Sequence, residues 1–367
     1  MRAAVLEAPG EPLVVRDDLQ IRDPRPGEVK VRVAHCGLCH SDLSLADGTF
    51  PAPVPIVLGH EAAGVVESVG DGVSSHAVGD PVVLTPCPPC GTCYWCVRGE
   101  TSLCEVALGI MTHTFPDGST GLSRGDTSIY RGLNLGAFAE SVVTPATGAI
   151  KVPADVPLDV ACVIGCAVQT GVGAVLNTAD VEEGATVLVL GLGGIGLSAV
   201  QGARIAGAAR ILVSDPVAAR REVAKAFGAT DFVDPTRDDV VARAREVAPV
   251  GVDYAFECAG RAALVEIGIA AARNGGTIVC VGAPAIDEAI TIAPAAAFTV
   301  SEKKLLGCTL GSVNSLRDIP RLVALWQAGR LDLDALITAR LPLHEVNLGL
   351  DALRESRGIR TVLDLGA

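Results

Sequence analysis

TVLVLGLGGIGLSAVQGARIAG, residues 186–207, decides the architecture of the second part of this 367-residue chain. Five residues without polar alternation read as a strand buried on both faces, and GLGGIG at 191–196 then turns the chain into an alanine-rich helix. The hexapeptide matches G-x-G-x-x-G, which alone says little in a chain with 41 glycines. Its position between strand and helix says more. Gly191, Gly193 and Gly196 permit a tight turn and a close approach to a pyrophosphate, and the helix N-terminus offers free N–H groups. Asp215 closes the next strand, ILVSD, nineteen residues after Gly196. A carboxylate there bonds ribose hydroxyls and repels a 2′-phosphate, so NAD is the expected cofactor. Arg220 and Arg221 are the nearby cations that would help with a phosphate instead.

Outward from this stretch the same rhythm recurs. ILVSD, DFVD, VDYAFEC, TIVCVG and KLLGCTL follow TVLVL with helical segments between them, giving six strands for a doubly wound parallel sheet. Before residue 165 the apolar runs are shorter and alternate: VVR at 14–16, VKVRVAHC at 29–36, GVVESVG at 64–70, DPVVL at 80–84 and FAESVVT at 138–144. Pro and Gly interrupt them, as in a β-rich, barrel-like domain. After residue 309, DIPRLVALWQAG and HEVNLGLDALRES read as helices and IRTVLDL as a last strand. A chain this long exceeds one hydrophobic core. The expected division is residues 1–168, 169–308 and a return to the first domain over 309–367.

Composition narrows the function. A formal net charge of -13 opposes nucleic acid and anionic membrane, whose binding relies on basic surface. The N-terminal MRAAVLEAPGEPLVV lacks the apolar core of a secretory signal, and no stretch reads as a membrane span, so a cytoplasmic location is expected. Twelve cysteines there suggest metal ligands and core thiols more than disulfides.

Five of them fall in CPPCGTCYWCVRGETSLC, residues 87–104, and tetrahedral zinc takes four. Spacing allows Cys90, Cys93, Cys96 and Cys104, or a shifted register of Cys87, Cys90, Cys93 and Cys96. Pro88 and Pro89 stiffen the segment where the second register must wrap an ion, which favours the first. Four thiolates leave no place for water, so this site is structural. GLCHSD at 37–42, GHE at 59–61 and IGC at 164–166 are individually unremarkable, since a lone buried cysteine is usually core. Together they offer Cys39, His60 and Cys166. Two thiolates and one imidazole leave zinc's fourth position open, the arrangement of a catalytic Lewis acid. Beside a nicotinamide, such a metal polarises a carbonyl or acidifies an alcohol while hydride is transferred.

These motifs, from GEVKVRVAHCGLCHSD through LGHEAAGVVESVGDGV, the cysteine cluster, IGCAVQTG and GLGGIG to IRTVLDL, resemble the zinc-containing medium-chain alcohol dehydrogenases nearly end to end. The resemblance implies a β-rich GroES-like catalytic domain and a Rossmann cofactor domain. It assigns two zinc ions per subunit, a structural one on Cys90, Cys93, Cys96 and Cys104 and a catalytic one on Cys39, His60 and Cys166. Cys87 is then left over, with Cys36, Cys162, Cys258, Cys280 and Cys308, as a core or spare thiol. By the same resemblance Asp42 orients His60, Glu61 lies behind the metal and Ser41 receives the alcohol proton. His40 and Arg360 fall at the pyrophosphate, Ile195 and Thr170 beside the nicotinamide, and Val281 at its amide.

One position departs from the family pattern. Many relatives end the proton relay with histidine three residues after the serine; Ser44 stands there, and serine is no base near neutral pH. The long segment between Cys104 and Cys166 resembles that of dimeric relatives, so a homodimer is expected. The function implied is NAD-dependent oxidation of primary alcohols and reduction of aldehydes. Gly132 replaces an aromatic ring of some relatives near Ser41, Thr85, Pro86 and Leu133, which suggests room for bulky, aromatic or medium-chain alcohols unless Leu133 or Leu310 fills the gap. An alternative is oxidation of a thiol adduct of formaldehyde, for which Arg124 and Arg131 are the cations available at the entrance. A cofactor held permanently and recycled by a second substrate, and a non-catalytic nucleotide-binding protein, are the remaining readings.

Overall fold

The computed structural model describes residues 1–366, which form two compact units. One comprises Met1–Cys166 with the chain from Asn314 onward, and the other is Ala167–Val313.

The first unit is β-rich. Its longest strand, Glu28–Gly37, buries Val29, Val31 and Val33 on one face, and the alternation fixes its register because a slip of one residue would exchange core and solvent faces. It pairs antiparallel with Glu61–Val69, Ser141–Pro145 and Arg360–Asp364 in a seven-stranded sheet. The last of these is the C-terminal strand IRTVLDL, returning as the sequence pattern predicts. A second, six-stranded sheet contains Ala3–Leu6, Ile56–Val57 and Thr127–Arg131. One core takes Val5 and Ile56 from this sheet and Val31, Val66, Val142 and Leu363 from the other. Each such aliphatic side chain contributes about 1.5–3 kcal/mol on burial.

The second unit is a six-stranded, wholly parallel sheet. Numbered in chain order, its strands lie 3-2-1-4-5-6, so the order reverses between Thr186–Leu190 and Val252–Glu257. Ligands of such sheets bind at the carboxyl ends of the strands flanking that reversal. There the glycine turn leads from Thr186–Leu190 into helix Gly194–Ala206. Leu188, Leu190, Leu212, Ala255 and Ile278 form its core. No single helix among the described residues is long and apolar enough to cross a membrane.

Candidate active site

Helix His40–Ala46 begins at Cys39, and the start of that helix brings the first metal ligand into place. Asp42, wholly buried, accepts from the Cys39 amide through Oδ2 (3.1 Å) and from the Gly59 amide through Oδ1 (2.9 Å). The same Oδ1 lies 3.1 Å from His60 Nδ1. One carboxylate thus ties together the two loops that carry Cys39 and His60, and engages the imidazole so that Nε2 is the nitrogen left for a metal. Gly59 has φ +94°, and a Cβ there would lie 2.5 Å from Phe138 Cδ1, so the turn that presents His60 admits no side chain. Cys166 arrives from the end of the first unit, after the short helix Cys162–Gly165.

Ligand atoms of Cys39, His60 and Cys166 all lie within 4.8 Å of one another, and all three residues are buried. Burying two thiols and an imidazole side by side couples their protonation. The Cys39 thiol is held well below its ordinary range, chiefly by its hydrogen bond with Cys166 and further by His60, although burial opposes this. Cys166 is pushed well up by the same bond and by burial. Burial works against a charged His60, yet the Asp42 carboxylate and Cys39 hold its proton well above the usual range. A divalent cation would replace the protons of Cys166 and His60, so the donor set fits zinc with a fourth position open.

Behind this group Glu61 and Arg360 form an ion pair, Oε1 to Nε 3.2 Å, with side chains 0% and 4% exposed. Arg360 also donates to the Leu38 carbonyl (2.7 Å). Its observed contacts are therefore with the back of the metal group. Ser41 is half-buried with its Oγ 3.9 Å from Cys39 Sγ, and His40 is exposed at the helix start. Ser44 is half-buried.

Cys90, Cys93, Cys96 and Cys104 form the second group, again with sulfurs mutually within 4.8 Å. Backbone N–H groups of Thr92 and Cys93 point at Cys90 Sγ (3.5 and 3.3 Å), and that of Cys90 at Cys104 Sγ (3.2 Å). The bonds to its own sulfur, that of the Thr92 amide foremost, pull the Cys90 thiol down to about 6 although burial opposes them. Four sulfurs fill a tetrahedral ion. Cys87 lies outside the group, buried, with its thiol pushed up to about 12 chiefly by desolvation.

In the second unit the three glycines act differently. Gly191 adopts φ +91°, and a Cβ on Gly196 would meet the Gly191 carbonyl oxygen at 1.8 Å. Gly193 faces open space, with nothing within 4 Å of a Cβ. The protein's own packing does not require glycine there, whereas a ligand lying on the turn would. Asp215 is buried and accepts from Leu192 N (2.7 Å) and Val217 N (2.8 Å), with Arg220 Nη1 3.2 Å from its Oδ2. Arg220 is thus paired with the Asp215 carboxylate. Thr170 and Val281 are buried and Ile195 half-buried, and the Val281 amide donates to the Glu257 carbonyl.

Two expectations from the sequence change. A Cβ on Gly132 would lie 2.8 Å from the Val57 carbonyl oxygen and 3.0 Å from Leu58 Cα, so the missing side chain faces packed backbone and opens no room. Leu133 is buried beside it. Nor are Arg124 and Arg131 free at an entrance, since Arg124 is bonded through both Nη groups to Glu7 and Arg131 is 2% exposed. Thr85, expected beside the substrate, is buried, and its hydroxyl lies 3.0 Å from that of Ser315, 230 positions away.

Comparison with known proteins agrees with this geometry. Residues 25–154 match the alcohol dehydrogenase GroES-like domain and residues 194–327 the zinc-binding dehydrogenase domain. An NDMA-dependent alcohol dehydrogenase of Amycolatopsis methanolica is 39% identical, over 99% of this chain and 98% of that protein. The chain belongs to the zinc-containing medium-chain alcohol dehydrogenase family. A probable S-(hydroxymethyl)glutathione dehydrogenase of Schizosaccharomyces pombe is 36% identical over 99% and 97% of the two chains. Among solved members of the family, the benzyl alcohol dehydrogenase of Acinetobacter calcoaceticus has a TM-score of 0.94 and 31% identity, covering 100% of this chain and 99% of that one.

Proposed function

We propose that this alcohol dehydrogenase couples NAD to the reversible oxidation of primary alcohols, apolar and aromatic ones preferred, using one catalytic and one structural zinc per subunit. The observation that carries the reading is the buried group of three ligands, Cys39, His60 and Cys166, beside a separate closed group of four. With both groups bound, zinc supplies Lewis acidity toward the alcohol or aldehyde oxygen, and the dinucleotide supplies hydride exchange.

The chain's own residues do the rest. Asp42 holds the imidazole orientation through Nδ1. Ser41, its Oγ 3.9 Å from Cys39 Sγ, takes the alcohol proton, and with Ser44 unable to act as a base the proton leaves through water or the ribose hydroxyls. Gly193 would give a pyrophosphate its approach, and Asp215 would hold the ribose. His40, Thr170, Ile195 and Val281 would complete the cofactor contacts, with Arg360 reaching the pyrophosphate only beyond its bonds to Glu61 and the Leu38 carbonyl, and a homodimer would be the assembly.

Support for an apolar alcohol comes from the benzyl alcohol dehydrogenase relative and from the pairing of Arg124 and burial of Arg131, which leave neither cation for a carboxylate-bearing thiol adduct. A second reading concerns turnover. In it the cofactor is retained by the protein and recycled by a second substrate; one relative is named as an NDMA-dependent alcohol dehydrogenase. The deciding experiment mixes purified protein with benzyl alcohol, with and without added NAD. Absorbance of reduced cofactor growing past one equivalent supports an exchanged NAD. A single equivalent released only on denaturation supports the retained form, and no cofactor reduction in either sample refutes the dehydrogenase reading.

A further inference from the structure

Strand Thr127–Arg131 ends on a buried cation. The Arg131 guanidinium lies 3.7 Å over the Phe115 ring, which Arg22 also approaches at 4.6 Å. One terminal nitrogen of Arg131 donates to the Asn134 carbonyl. Its Nε and Nη1 are buried with no hydrogen-bond partner, and the same is true of Arg22 Nε. Glu28 is the carboxylate acting on Arg131, but both its oxygens are taken by Arg22, and one also by the Arg25 amide. Two guanidinium groups therefore share one carboxylate, an excess of one positive charge.

Arginine does not escape such a situation by losing its proton. Burial lowers Arg131 only to about 9, which still leaves it charged at neutral pH. Arg131 lines a small cavity together with Phe115, Thr120, Leu122, Leu135 and Ser141, with about 10 Å³ of space for the centre of a water-sized particle. The Thr120 hydroxyl donates to the Leu122 carbonyl and that of Ser141 to Glu67, so their protons are spent elsewhere. Most other walls are apolar. An adjoining open groove shares Ile21, Thr120, Gly121 and Leu122 with the cavity and offers a route from solvent. Water would satisfy the two N–H groups but leave the charge, whereas a monatomic anion answers both demands.

We propose that this cavity is a halide site that takes one chloride ion against Nε and Nη1 of Arg131. Its position gives it a structural consequence. Arg131 holds the Asn134 carbonyl, and Asn134 Nδ2 in turn donates to the carbonyls of Pro86 (2.9 Å) and Val106 (3.3 Å). Leu133 and Asn134 adopt φ of 50° and 67°, a left-handed pair that needs such bracing. Chloride thus steadies a turn that ties three segments of the first unit together.

The direct test is a bromide soak of crystals of the wild-type protein, with data collected at the bromine absorption edge. An anomalous peak in contact with Arg131 is expected, and water alone at that position overturns the proposal. In solution, the melting midpoint in sodium chloride should exceed that in sodium glutamate of equal ionic strength by about 2–4 °C. Arg131→Met should abolish the difference. Equal midpoints for the wild type also overturn the proposal, and because both wild-type measurements stand alone, failure of the variant to fold leaves the test intact.

Discussion

Glu61 and Arg360 meet 3.2 Å apart in a region that excludes solvent from both side chains, although 299 positions separate them (360 minus 61). Arg360 feels Glu61, Cys39 and Cys166 together, so the pair belongs to the electrostatics of the metal group as well as to the fold. Removing one partner strands a buried charge, at a cost of about 3–5 kcal/mol. Arg360→Met should therefore lower the melting midpoint sharply, and adding Glu61→Gln should restore part of it. A double variant no more stable than Arg360→Met would show that the pair is not coupled.

The glycine turn separates folding from binding. Gly196→Ala forces a Cβ to 1.8 Å from a carbonyl oxygen and should destabilise the second unit. Gly193→Ala meets nothing within 4 Å, so it should melt like the wild type while binding NAD about tenfold or more weakly, a loss of at least 1.4 kcal/mol. Calorimetry and cofactor titration of the two variants check this. Unchanged NAD affinity in Gly193→Ala would remove the turn from the cofactor site.

Asp215 accepts from two backbone amides and faces Arg220. Asp215→Gly should weaken NAD binding and narrow the preference over NADP, with Arg220 then released to meet a 2′-phosphate. Equal kcat/KM for the two cofactors in the wild type would contradict the assignment.

For the four-cysteine group, Cys93→Ser should cost one zinc per subunit and lower stability, whereas Cys87→Ser should keep full metal content because Cys87 lies outside the group. Elemental analysis after gel filtration distinguishes them. Equal metal loss in both would favour the shifted register.

What the sequence made legible follows the range of the interactions. TVLVL with its glycine turn is local, and the parallel strand and helix appear where the pattern puts them. The alternation of VKVRVAHC likewise marks the strand Glu28–Gly37, though its place at the centre of a seven-stranded sheet rests on partners far along the chain. Cys39, His60 and Cys166 come from three distant segments; their residue types suggested an open zinc site and the family resemblance supported the grouping, but only the fold brings their ligand atoms within 4.8 Å of one another. Arg131 shows the limit most clearly. The sequence offers it as a cation at the entrance, yet Arg131 is buried, stacked on Phe115 and bonded to Asn134, and no periodicity of charge or hydropathy announces such a contact. Gly132 fails for a related reason, since an absent side chain says nothing about which neighbour occupies its space.

The most direct test of the central claim is zinc content and benzyl alcohol turnover measured together on the wild type and on Cys166→Ser. Two zinc ions per subunit in the wild type, one in the variant, and turnover lost while the circular dichroism spectrum is retained, are the results expected of an open catalytic site on Cys39, His60 and Cys166. A Cys166→Ser protein that keeps both metal ions and wild-type turnover would contradict it.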